Sequence, residues 1–148
     1  MDRTVMLSVE NLSCGYGKTE VIHDLSFQVR AGERLCILGA NGCGKTTLLR
    51  ALAGVIPFQG SVEADGVSLG GLSPRQRAKK IALMSQFSQS AFDYTVYEAV
   101  MLGRYAHRSD FLFPAESAAD RDAVEDAMRR TGVWELGEQL VTRLSGGK

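Results

Sequence analysis

Apolar and polar positions alternate rapidly along the first 38 residues, as they do in strands and turns. Val5-Met6-Leu7-Ser8-Val9 is a short apolar-rich run, and Asn11 to Gly17, dense in turn-forming residues, is expected to be a loop. Leu25-Ser26-Phe27-Gln28-Val29 alternates as a half-buried strand does. After a break at Ala31-Gly32-Glu33, Leu35-Cys36-Ile37-Leu38 is apolar on both faces, which predicts a central strand of a parallel sheet. The glycine-rich stretch Gly39 to Gly44 comes next. Lys45 to Ala53 then reads as a helix with Leu48, Leu49 and Leu52 on one face and Gly54 as its stop. Ser61 to Ala64 is a short strand before the Asp65-Gly66 turn. Ser73-Pro74-Arg75-Gln76 has the cap, proline and glutamine that start a helix, and Ile81 to Met84 predicts a second buried strand.

From Phe87 the spacing turns helical. Thr95-Val96-Tyr97-Glu98 is a capping box for a helix closed by Gly103. Pro114 precedes a longer helix, roughly Ala115 to Thr131, with Ala119, Ala123, Val124, Ala127 and Met128 at helical spacing. Its Asp120 and Asp122 lie early and Arg129 and Arg130 late, as the helix dipole favours. The expectation is an α/β part to about residue 86 and a helical part over about 87–148, with no linker, repeat or low-complexity tract between them.

Composition narrows the classes. Seventeen basic and seventeen acidic residues give a net charge of zero, which lends no support to a nucleic-acid partner. The longest apolar or glycine runs are too short to span a bilayer, and no apolar signal core follows Met1-Asp2-Arg3. Cys14, Cys36 and Cys43 form no C-x-x-C pair, which argues against a disulfide framework or a cysteine-rich zinc site and for a reducing compartment. His23 and His107 have no neighbours at metal-ligand spacing and read as surface or packing residues.

The glycine placement carries the chemistry. Gly39-Ala40-Asn41-Gly42-Cys43-Gly44-Lys45-Thr46 matches G-x-x-x-x-G-K-(S/T), with an apolar run entering and an amphipathic helix leaving. Glycines let backbone N–H groups turn inward around phosphate oxygens, and the helix start adds its positive end. Lys45 is placed to reach the β- and γ-phosphates, and the Thr46 hydroxyl to ligate Mg²⁺. Kinases, GTPases and motors share this motif, so the rest of the chain has to discriminate.

Leu144-Ser145-Gly146-Gly147-Lys148 resembles the LSGGQ signature of ATP-binding cassette (ABC) ATPases, and Ser145 lies 100 residues after Lys45. Gln86, 41 residues after Lys45, resembles the glutamine of the cassette Q-loop, and Tyr16, 23 residues before Gly39, resembles the aromatic that stacks on adenine. The stretch Tyr94 to His107, with Thr95-Val96, Glu98, Val100 and Gly103-Arg104, is similar to importers of iron-siderophores, haem and cobalamin.

The resemblance implies a phosphate-loop ATPase core with an N-terminal antiparallel β subdomain and a helical subdomain. It also implies roles. Gly39, Asn41, Gly42, Gly44, Lys45, Thr46 and Thr47 would hold the phosphates of ATP, with Cys43 as a small filler. Tyr16 would stack on adenine, and Gln86 would touch Mg²⁺ or the attacking water. Ser145, Gly146 and Gly147 would contact the γ-phosphate on a second, head-to-tail copy.

Val96 to Tyr105 would face transmembrane permease subunits, with Val96 and Val100 packing inward and Tyr97, Arg104 and Tyr105 as docking candidates. A substrate-binding protein would act indirectly, and the place of work would be the cytoplasmic face of the membrane. In such cassettes the aspartate-ended strand, the glutamate after it and the switch histidine follow the signature, so they are expected beyond Lys148. These 148 residues alone are then expected to bind nucleotide at most and to be poorly stable. Two rival readings are a soluble cassette protein of translation or DNA repair and a small-molecule kinase; the latter leaves the signature spacing unexplained.

Overall fold

The computed structural model describes residues 4–84, 93–107 and 116–144. The chain divides into two units, Met1–Met84 and Ser85–Lys148.

In the first unit, strand β1 (Val5–Tyr16) lies between β2 (Thr19–Arg30) and β3 (Phe58–Ala64), antiparallel to both, and β4 (Val67–Ser68) pairs with β3. The expected loop from Asn11 is therefore strand as far as Tyr16. Asn11 has φ 50°, and the register slips between Val9 and Leu12 against β2 and between Glu10 and Ser13 against β3. Three residues apart, Val9 and Leu12 would face opposite sides of a regular strand; the irregularity turns both into the core, together with Cys14. The Asn11 N–H donates to Ser26 Oγ at 2.8 Å and Asn11 Nδ2 to Asp24 Oδ1 at 2.6 Å, so the bulge's polar groups find partners across the pair. Turn-forming residues here bend a strand without ending it.

Helix α1 (Lys45–Leu52) covers this sheet. Leu48, Ala51 and Leu52, spaced i, i+3, i+4, are buried with Val9, Leu12, Cys14, Val62, Ala64 and Leu69. Leu49, expected on that face, sits about 100° around the helix from Leu48 and is 41% exposed.

Helix α2 (Pro74–Ala78) starts on the expected Ser73–Gln76 capping box. Its Arg77 donates to three carbonyls: Gly54 at 2.8 Å, Leu72 at 3.1 Å and Leu69 at 3.2 Å. Gly54 (φ 67°) ends the α1 segment, and a Cβ there would overlap the guanidinium.

Two expectations are corrected. Residues 35–38 and 81–84 are not strands. Leu38 is 90% and Met84 93% exposed, while Ile37 and Ile81 reach the core edge. Among the described residues no strand lies beside either segment. A run that is apolar on both faces needs a ladder on each side before burial can follow.

In the second unit, α3 (Val96–Leu102) starts on the Thr95–Glu98 capping box and α4 (Ala118–Arg130) on a Ser117–Asp120 box. The cap at Ser117 starts α4 later than the Pro114 pattern predicts; Ala115 lies outside the described residues. Val124 and Met128 pack with Val96 and Met101, whereas Ala119 and Ala127 face solvent. Residues 137–144 return to the start of α3. The carbonyls of Gly137 and Gln139 accept from the N–H groups of Tyr97 (3.0 Å) and Val96 (2.9 Å), and Thr142 Oγ1 donates to Asp93 at 3.1 Å. Among the described residues no helix is long and apolar enough to cross a membrane.

Candidate functional site: a glycine loop at the start of a helix

Residues 39–44 form an exposed loop that feeds directly into α1. Gly42 (φ 82°) and Gly44 (φ 99°) take left-handed backbone conformations. At Gly44 the conformation coincides with close approach: a Cβ would lie 2.8 Å from Ile22 Cδ1 and 2.9 Å from Val21 Cγ1, so the loop rests on β2 through its bare α-carbon. Gly44 is the N-cap of α1, and no side chain hydrogen-bonds there; the first turn holds no acidic residue. The first N–H groups of a helix have no intrahelical acceptor and carry the positive end of its dipole, the setting in which anions bind.

Lys45 folds back over the loop. Its Nζ donates to the carbonyls of Gly39 and Ala40, both at 2.7 Å, and lies 3.7 Å from Cys43 Sγ. The ammonium is thus held at the loop by weak, neutral acceptors, against which phosphate oxygens compete with full charge. Cys43 is exposed and its thiol lies against Gly39, where a Cβ would come within 2.6 Å of the sulfur. Asn41 and Thr46 are exposed and Thr47 is buried.

Tyr16 closes β1 opposite Thr19, across the Gly17-Lys18 turn, and is 46% exposed. Its phenol oxygen accepts from Arg50 Nη1 at 3.2 Å. That hydrogen bond, and next one from the Thr47 side chain, hold the phenol pKa below its ordinary value. The structure therefore brings Tyr16, Lys45, Thr46 and the loop glycines onto one helix and the hairpin beside it. Gln86, Ser145, Gly146 and Gly147 lie outside the described residues.

In the second unit the docking candidate Arg104 is paired with an acid. Its Nε lies 3.0 Å from Asp120 Oδ1, with the Asp120 side chain only 8% exposed. Hydrogen bonding from Ser117, then from Arg104, holds the Asp120 pKa down to about 2. Tyr105 is 56% exposed, and Tyr97 and Val100 pack at the edge of the α3–α4 core. Sequence reasoning missed Arg50 and Arg77. Both look like solvated helix charges, and only their spatial neighbours reveal what they hold.

A bent glycine loop, an uncapped helix start and a lysine folded over it define a phosphate-loop protein. The sequence pattern of the ABC transporter family matches residues 22–148, and the chain belongs to that family. Membership implies ATP binding. Over 140 residues the chain is 39% identical to the ferric enterobactin transport ATP-binding protein FepC of Escherichia coli (strain K12), covering 94% of this chain and 51% of that protein. It is 36% identical to the hemin import ATP-binding protein HmuV of Methylobacillus flagellatus, covering 97% and 52%. A solved structure of a putative metal-chelate type ABC transporter in an inward-facing conformation superposes with a TM-score of 0.73 at 31% identity, covering 97% of this chain and 51% of that one. The chain spans about half the length of these relatives.

Proposed function

We propose that this chain is the nucleotide-binding part of an ATP-driven importer of metal chelates, such as an iron-siderophore, haem or cobalamin. The observation that carries the reading is Lys45, folded across a glycine loop at an uncapped helix start. The names of the relatives, for ferric enterobactin and hemin, support the substrate class.

In this reading Gly39, Asn41, Gly42, Gly44 and Thr47 shape the loop, and Lys45 exchanges its carbonyl partners for phosphate oxygens. The exposed Thr46 hydroxyl, one residue along the same first turn, suits a Mg²⁺ ion, which would neutralise phosphate charge. Gln86 orients the ion or the attacking water, and Tyr16 stacks on adenine. Ser145, Gly146 and Gly147 meet the γ-phosphate held by a second copy of the chain, head to tail. Hydrolysis separates the two copies, and the α3 region, with Tyr97, Arg104 and Tyr105, passes that movement to transmembrane permease subunits served by a substrate-binding protein. The protein works at the cytoplasmic face of the membrane. The domain division follows the same logic: nucleotide cradle to about residue 86, signature-bearing helical part after it.

Lys45→Ala is the test. In the full-length protein it is expected to abolish hydrolysis and to weaken ATP binding. ATP turnover that survives the substitution intact would sink the phosphate-loop assignment.

A further inference from the structure

Resting on that nucleotide-binding reading, we propose that Arg50 is a positioning residue for the nucleobase, acting by holding the Tyr16 ring rather than by touching phosphate. Tyr16 sits at the very end of a strand, beside a two-residue turn. Its backbone is fixed by pairing with Thr19, but a ring at a hairpin tip can still swing among staggered positions about its Cα–Cβ bond. Fixing the far end of the ring takes a partner for the hydroxyl. Arg50 Nη1 supplies it at 3.2 Å.

Thr47 and Arg50 are three residues apart and so share one face of α1. This is the helix whose N-terminus carries the glycine loop. The proposed stacking ring is therefore tied at one end to the hairpin and at the other to the phosphate-binding helix, with about half its surface open. Base platform and phosphate cradle move as one piece, which fixes the separation between them.

Arg50 itself lies in the last turn of α1, five residues after Lys45 or about 7.5 Å along the axis. That offset places it beside the ring and away from the loop. A plain dipole role at the helix C-terminus would need no tyrosine hydroxyl. The two roles part company in Tyr16→Phe, which keeps the charge and removes the tether.

The experiment compares two probes in the full-length protein: ATP, and inorganic tripolyphosphate, which has no base. Arg50→Met is expected to weaken ATP about fivefold, the worth of one net hydrogen bond, and to leave tripolyphosphate binding unchanged. Tyr16→Phe should do the same, and the double variant should be no weaker than either single one, because both remove one tether. Arg50→Lys, still a donor, should recover part of the loss.

Equal weakening of both probes, additive losses in the double variant, or undiminished ATP binding in Arg50→Met would each overturn the inference. Lys45→Ala is run alongside. If it leaves both probes bound as before, the nucleotide reading itself fails; if it releases both, a negative result at Arg50 counts against the tether alone.

Discussion

Helices α1 and α4 begin in opposite ways. At the start of α4 the Ser117 hydroxyl accepts the Asp120 N–H at 3.1 Å, and the Asp120 carboxylate accepts from the Ser117 hydroxyl at 2.7 Å. The chain thus places its own anion at the positive end of the helix, and α2 and α3 have complete capping boxes too. At the start of α1 a glycine stands where the cap residue would be, and the first turn holds no acid. Every helix has the same orphan N–H groups and the same dipole. Helices α2, α3 and α4 answer that need internally. Helix α1 answers it with a loop whose geometry admits an outside anion, with Lys45 added to the same charge. Asp120 is itself held ionised, its pKa brought down to about 2 by hydrogen bonds from Ser117 and then Arg104.

The sharpest way to break the contrast is to fill the start of α1. Gly44→Ala puts a Cβ at φ 99° against Val21 and Ile22. It should cost about 1–3 kcal/mol of stability in a denaturant melt and weaken ATP binding with it. Unchanged melting and affinity would mean that the bare α-carbon is incidental.

Next in size is protection of Cys43. Its thiol is exposed within the loop, so ATP at ten times its dissociation constant should slow alkylation of Cys43 roughly tenfold. Exposed Cys36 should react at one rate with and without nucleotide. Buried Cys14, its pKa raised by burial and then by Glu20, should react slowly throughout. Peptide mass spectrometry reads all three sites.

On the other side of the contrast, Ser117→Ala removes the cap of α4. It should lower stability by about 1 kcal/mol and leave ATP affinity unchanged. Loss of ATP binding in that variant would contradict the separation of roles.

The contrast also implies a dependence on pH. A carboxylate whose folded pKa is depressed adds stability above its ordinary value of 3.8, and that stability disappears as pH falls toward about 2. The gap in melting temperature between the parent and Asp120→Asn should hold steady above about pH 5 and close below it. A gap that persists at pH 2 would show that the neutral side chain, not the charge, does the work.

Local rules made the caps legible. Ser73–Gln76 and Thr95–Glu98 have a hydroxyl and a Glu or Gln three residues on, and both helices start where that pattern puts them. The third box was hidden because Asp120 fills the place usually held by Glu or Gln and because Pro114 drew the helix start forward. The phosphate loop was equally legible, since its glycines, lysine and threonine are contiguous.

Features that depend on distant partners were not. Residues 35–38 and 81–84 advertise two apolar faces, but a pattern says what a segment needs and not whether a strand lies next to it. Asn11 reads as a turn, yet its neighbours across β2 hold it as a bulge within a strand. The anchoring of residues 137–144 to the start of α3 runs mainly through backbone carbonyls and leaves no periodicity to read. Arg77 holds Gly54, Leu69 and Leu72 through their carbonyls, a role invisible in a short polar helix.

In the proposed function the start of α1, and not that of α4, receives phosphate. Backbone amide shifts of the ¹⁵N-labelled protein, followed while ATP is added, test it residue by residue. Large, saturable shifts are expected at Gly42, Gly44, Lys45 and Thr46, with still signals from Ser117 to Asp120. Shifts confined to the α4 start, or loop amides that stay in place while ATP binds, would contradict it.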